Sequence, residues 1–139
     1  MKRELKFRAW CITTNQMLNS VGFHPNIIQK HDDYKDGEDG QYTISPEFDN
    51  YKLMQFTGLK DKNGVDIYEG DIVNQFDLNV RRPVIYINGS FGYYDSDSKF
   101  KEFVSFAQNH WYEWNNGQSN HIEIIGNIYQ HPTLLTPKS

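Results

Sequence analysis

The run LMQFTGLKDKNGVDIYEGDIV, from Leu53 to Val73, constrains the fold more than any other part of the chain. Gly58, Gly64 and Gly70 divide it into short pieces at points where the backbone is expected to reverse. Asp61-Lys62-Asn63-Gly64 is a turn, because Asn and Gly tolerate the positive φ that a tight reversal needs. Glu69-Gly70-Asp71 is a second turn, and the carboxylates of Asp61 and Asp71 are placed to accept from nearby amides as Asx turns do. Tyr51 to Thr57 before the first turn has the composition of a strand, and Ile72-Val73 enters another. Ile67, Ile72 and Val73 are the expected core positions. Such a segment reads as short strands meandering through turns.

The same reading extends outward. Leu5, Phe7 and Ala9 alternate with Lys6, Arg8 and Trp10, Thr13 to Gln16 interrupts, and Met17-Leu18 resumes, so Leu5 to Phe23 is a predicted β-hairpin. From about His24 to Asn50, four turn-forming residues (Pro25, Gly37, Gly40, Pro46) lie among acids, and the segment reads as a long loop with a brief strand at Gln41 to Ile44. Pro83 to Ile87 and Phe91 to Tyr94 flank Asn88-Gly89, the strongest local hairpin signal in the sequence. Phe100, Phe103, Val104 and Ala107 fit a helix face and a strand equally, so residues 99–114 stay open between the two. Ile122, Ile124, Ile125, Ile128 and Tyr129 mark a last strand, bent at Gly126, and Thr136 to Ser139 is expected to fray. The fold class is mostly β, a small SH3-like barrel or sandwich with an N-terminal β-hairpin subdomain and little helix. The expected division is residues 1–50, hairpin and acidic loop, and residues 51–139, the barrel-like part, folding as one integrated unit.

Composition narrows what such a fold can do. Aromatic residues make up 15% of the 139, so Tyr, Phe and Trp carry much of the expected burial. The single cysteine, Cys11, can form neither an intrachain disulfide nor a cysteine-rich zinc site, which points to a reducing cytoplasm. No apolar run is long enough for a signal peptide or a membrane span. The net charge of −4 is concentrated: seven acids lie between Asp32 and Asp49 against one base, Lys35, and the rest of the chain has 11 acids and 13 bases. No global field draws such a body to nucleic acid, which leaves only local basic patches for that purpose.

Catalytic and metal signatures are weak throughout. An EF-hand with Gly64 at the invariant glycine would need an oxygen ligand at Leu59 and a glutamate at Gly70, and both positions fail. The acidic segment is read as a solvated loop ahead of a cation site or DNA mimic. His24, His31, His110, His121 and His131 lack a paired-ligand spacing. Cys11 reads as a packed thiol ahead of a nucleophile. No Gly-x-Ser-x-Gly elbow or phosphate loop occurs. Asn88-Gly89-Ser90 matches a glycosylation sequon, but a hairpin turn explains it better. No cofactor, metal site or catalytic residue is expected, and the chain reads as a non-enzyme.

Three blocks carry a family resemblance: Lys6-Phe7-Arg8-Ala9-Trp10 followed by Met17; Leu53 to Val73; and Ile124-Ile125-Gly126-Asn127-Ile128-Tyr129 followed by Pro132 and Leu134-Leu135. On these the chain resembles the YopX family of phage and prophage proteins, over nearly its whole length. Between His24 and Asn50 and between Phe76 and His121 the correspondence lapses. The resemblance implies a mostly-β protein acting in the cytoplasm of a host bacterium, and it supplies no catalytic residues.

Function is therefore expected to be that of a phage or prophage accessory protein, a non-enzymatic interaction or self-assembling module whose partner is another copy or a host or phage protein. Exposed strand edges that must be covered favour pairing with a second copy. The alternative is a nucleic-acid-binding module. Arg81-Arg82 leads into Tyr86, Phe91, Tyr93 and Tyr94, and single-strand-binding surfaces combine basic residues with aromatic platforms. Core packing competes for the same aromatics. His110-Trp111-Tyr112-Glu113-Trp114 marks either an interface or the lid of the core. The candidate contact residues are Arg81, Arg82, Tyr86, Tyr94, Trp111 and Trp114.

Overall fold

A computed structural model of the chain describes residues 4–23, 42–44, 50–75, 80–94, 102–107 and 112–135, with backbone only at Phe23 and at 42–44. Most of the acidic segment and Trp111 lie outside these residues, as do the Asp95–Ser98 loop and the C-terminal Thr136–Ser139. The chain divides into two compact units, Met1–Gln55 and Phe56–Ser139.

In the first unit, β1 (Phe7–Cys11) and β2 (Gln16–Phe23) form the expected hairpin, with Asn15 taking positive φ in its turn. A register shift between Phe7 and Ala9 marks a bulge. β3 (Tyr42–Ile44) runs parallel to β2, and β4 (Tyr51–Lys60) contributes its first half as an antiparallel neighbour of β1. Ala9, Leu18 and Val21 are buried together with Phe7 and Tyr51 packed against them. The alternation is not simply apolar-in, polar-out. Trp10 and Met54, on the opposite face from Ala9, are buried too.

In the second unit, the other half of β4 pairs with β5 (Asp66–Tyr68). Gly58 does not reverse the chain. It sits inside β4 at φ +86°, where the register slips between Phe56 and Lys60, as a glycine bulge does. Two three-stranded antiparallel sheets follow. One has the order β11-β6-β7, built from β6 (Asp71–Gln75), β7 (Val80–Pro83) and β11 (Ile122–Asn127). The other has the order β10-β9-β8, built from β8 (Ile85–Ile87), β9 (Ser90–Tyr94) and β10 (Phe103–Ser105). The ambiguous 99–114 stretch thus contributes a strand where it is described. A 3-10 turn at Pro132–Leu135 is the longest helical piece among the described residues. None of the described helical segments is long and apolar enough to cross a membrane.

The expected single strand from Pro83 to Ile87 is broken at Val84, where the chain leaves one sheet and enters the other. The Val84 amide donates to Asp71 O and its carbonyl accepts from Gly70 N, both at 2.8 Å, so the corner is itself hydrogen-bonded. The two sheets share one core, composed of Ile67, Val73, Val84, Tyr93, Phe106, Tyr112 and Ile122. Phe106 and Tyr112 meet edge to face at 5.2 Å, a favoured geometry for opposed ring quadrupoles. Of the two architectures the sequence allowed, the sandwich-like arrangement fits, and no closed barrel forms among the described residues.

Candidate interaction surface

The β8–β9 hairpin turns on Asn88 and Gly89 at φ +52° and +83°, the pair of left-handed residues that a type I′ turn requires. This fixes the register Ile85↔Gly92, Tyr86↔Phe91 and Ile87↔Ser90. Tyr86 and Phe91 therefore share a face, with ring centroids 4.9 Å apart, and Tyr86 remains 50% exposed while Phe91 packs on the core. Tyr94 is 44% exposed but belongs to the opposite face, beside Phe103. On that face a Cβ on Gly92 would lie 3.0 Å from the Phe103 ring, so Phe103 covers the glycine.

The two arginines part company. Arg82 pairs with core-facing Val73, and its guanidinium lies 5.8 Å from the centre of the Tyr93 ring, within cation–π range. Arg81 pairs with Asn74 on the other face, and its Nη1 donates to Leu134 O at 3.4 Å, a long contact beside the C-terminal turn. Arg82 and Tyr86 thus stand on the core side of their strands with Phe91 and Tyr93. Arg81 and Tyr94 stand on outer faces. Trp114 belongs with the core: it stacks on Tyr112 at 5.5 Å, and its Nε1 donates to Phe106 O at 2.9 Å. Trp111 lies outside the described residues.

Several strand edges are closed from within the chain. Along the outer edge of β11, Ile122 O accepts from Lys62 N, Ile124 N donates to Asp61 Oδ2, and Asn127 N donates to His131 Nδ1. The Asp61 carboxylate also accepts from the amides of Asn63 and Val65 at 2.9 and 3.0 Å. The local Asx-turn role was legible in the sequence, whereas the bond to Ile124 was not, since nothing in the sequence links a turn to a distant strand. At the start of β8 the Gly70-Asp71 pair occupies the bonding positions at Val84. These bonds occupy the outer edge of β11 and the corner at Val84.

Burial pushes the Cys11 thiol up, but hydrogen bonds from Thr14, Thr13 and Tyr51 together outweigh it, leaving the thiol below its ordinary 9.0. Burial, followed by the neighbouring Cys11, pushes the Tyr51 hydroxyl above its ordinary 10.0. His121 and Glu113 approach to 3.6 Å on the surface. Among the described residues no three His, Cys, Asp or Glu side chains converge as metal ligands would.

The match to YopX protein runs over residues 6–136. The chain belongs to the YopX family. Among solved structures, the YopX-family fold seen here is similar to protein EF1440 from Enterococcus faecalis, at 25% identity and a TM-score of 0.57, over 96% of this chain and 99% of that one. It is also similar to protein YopX from Bacillus subtilis, at 20% identity and a TM-score of 0.53, over 94% and 97% of the two chains. No curated protein matches it.

Proposed function

We propose that this YopX-family chain is a phage or prophage accessory protein working in the host bacterial cytoplasm as a non-enzymatic interaction module. Its partner is another copy or a host or phage protein, met through the β8–β9 hairpin. The observation that carries the reading is Tyr86: half-exposed, yet held at 4.9 Å against Phe91 on a strand pair fixed by a two-residue turn. A rigid aromatic offered to solvent binds at little entropic cost, which is why Tyr is common at binding hot spots. The buried carboxylates Asp61 and Asp71 accept backbone amide bonds, a structural use of acids that catalysis would otherwise claim. Capture from a bacterial lysate on immobilised wild-type chain, in parallel with Tyr86→Ser, tests it. The reading expects a discrete captured species lost in the variant, and the same species on both surfaces contradicts it.

A second reading, single-stranded nucleic acid, is supported by the Arg82 guanidinium lying over Tyr93, whose side of β9 also carries Phe91 and, across the strand pair, Tyr86. Fluorescence anisotropy at about 50 and 200 mM salt decides it, because phosphate-driven binding falls steeply over that range. Arg82→Ala should then weaken binding and flatten the salt dependence.

A further inference from the structure

The second unit contains three Asn-Gly pairs, Asn63-Gly64, Asn88-Gly89 and Asn116-Gly117, and each closes a turn. An Asn-Gly pair carries its own reactive chemistry. The glycine nitrogen attacks the asparagine Cγ, forming a C–N bond and a five-membered imide. The glycine nitrogen gives up its proton, the Cγ–Nδ2 bond breaks, and Nδ2 takes up a proton and leaves as ammonia. Water then opens the imide at one carbonyl or the other, giving aspartate or isoaspartate, with no oxidant or reductant needed. Glycine favours the step because no side chain hinders its nitrogen, but the surrounding backbone must be free to rotate into the attacking geometry.

Two of the three turns are clamped. At Asn63-Gly64 the glycine nitrogen is engaged, donating to Asp61 O at 3.0 Å. The Asn63 amide donates to Asp61 Oδ1 at 2.9 Å, and its Nδ2 reaches Glu123 at 3.3 Å. At Asn116-Gly117 the glycine carbonyl accepts from Lys60 N at 2.6 Å, and the adjoining Gln118 side chain donates to Lys62 O at 3.1 Å. A Cβ at Gly117 would lie 3.1 Å from Gly58 O, so this backbone rests directly on β4. Asn88-Gly89 differs. Both residues are exposed, and neither makes a side-chain or tertiary hydrogen bond among the described residues. Among the described residues the turn is held by its flanking strand pair.

We propose that Asn88 is a self-modification site of this chain, converting to aspartate or isoaspartate in the folded protein ahead of Asn63 and Asn116. The two products have different consequences. Aspartate adds one negative charge and still tolerates the left-handed conformation. Isoaspartate reroutes the main chain through the side-chain carbon, which a two-residue type I′ turn does not accommodate. The hairpin that holds Tyr86 against Phe91 then loses its register, and the exposed aromatic surface goes with it.

The test is peptide mapping by mass spectrometry after incubating the native chain in mildly alkaline buffer, with a parallel incubation in denaturant. Each clamping hydrogen bond that must break should slow a site by about fivefold. The native chain should therefore convert Asn88 at least about fivefold faster than Asn63 or Asn116, and the denatured chain should bring the three rates together. Equal native rates, or conversion led by Asn63 or Asn116, would overturn the proposal. So would an unchanged order in denaturant, since local sequence and not the fold would then set it.

Discussion

The Ile124 amide donates to Asp61 Oδ2 over 3.0 Å, joining a turn to a strand 63 residues further along the chain. The same carboxylate organises its own turn through the Asn63 and Val65 amides. One side chain, 1% exposed, therefore serves as turn former and as edge cap for β11. Asp61→Ala should lower stability by about 3–5 kcal/mol, since it strands amides that bonded a charged acceptor. Asp61→Asn should cost less, because one oxygen remains. Urea unfolding followed by tryptophan fluorescence measures both, and a loss under about 1 kcal/mol for the alanine variant would mean water replaces the cap.

Two glycines separate soft from hard crowding. At Gly126 a Cβ would meet His131 Nδ1 at 2.7 Å and Leu134 Cδ1 at 2.9 Å, both side-chain atoms, so relief needs side-chain shifts and at most the loss of the His131 bond to Asn127 N. At Gly92 it would meet the backbone oxygen of Val104 at 2.0 Å, which cannot move without breaking the β9–β10 pairing. Gly126→Ala should cost about 1–2 kcal/mol and Gly92→Ala about 3 kcal/mol or more. Thermal melts of the two variants should keep that order.

Tyr112 is fully buried, and its hydroxyl accepts from Gln75 Nε2. Tyr112→Phe keeps the ring contacts with Phe106 and Trp114 but leaves the buried Gln75 donor without that acceptor. The expected loss is about 1–3 kcal/mol. Adding Gln75→Leu should recover part of it, and a double-mutant cycle in chemical denaturation reads the coupling.

Stability should respond to alkaline pH in two opposite steps. The Cys11 thiol is depressed in the fold, so its contribution is present above its ordinary 9.0 and is lost as pH falls through the lower folded value. The Tyr51 hydroxyl is raised, so its contribution is present below 10.0 and is lost as pH rises through the higher folded value. The melting temperature of the wild type relative to Cys11→Ser should rise just below pH 9.0 and fall above pH 10.0. The fall should also shrink in Cys11→Ser itself, because the thiolate is one cause of the Tyr51 shift. Parallel curves for the two proteins would remove the pair from the pH response.

Local signals in the sequence reached some features and could not reach others. The Asn88-Gly89 hairpin, the Asp61–Gly64 turn and the β1–β2 hairpin follow from residue types that tolerate particular φ values, so a few neighbouring residues suffice to read them. Gly58 was misleading, because glycine serves a bulge inside a strand as readily as a reversal. Val84 carries no local mark of a corner, since its partners at Gly70 and Asp71 lie more than ten residues away. For the candidate surface, period-2 alternation separates neighbours such as Arg81 and Arg82, but it does not tell which side is inside. Tertiary packing made that choice, sending Arg82 over Tyr93 and Trp114 against Tyr112, and leaving Tyr86 in solvent.

Native mass spectrometry of the chain recovered gently from a bacterial lysate tests the central claim most directly, comparing wild type with Tyr86→Ser. An interaction module that works through the β8–β9 hairpin predicts a discrete mass above that of a single chain, from a second copy or a bound protein, which disappears in the variant. A single-chain mass for both proteins, or the same assembly in both, would contradict it.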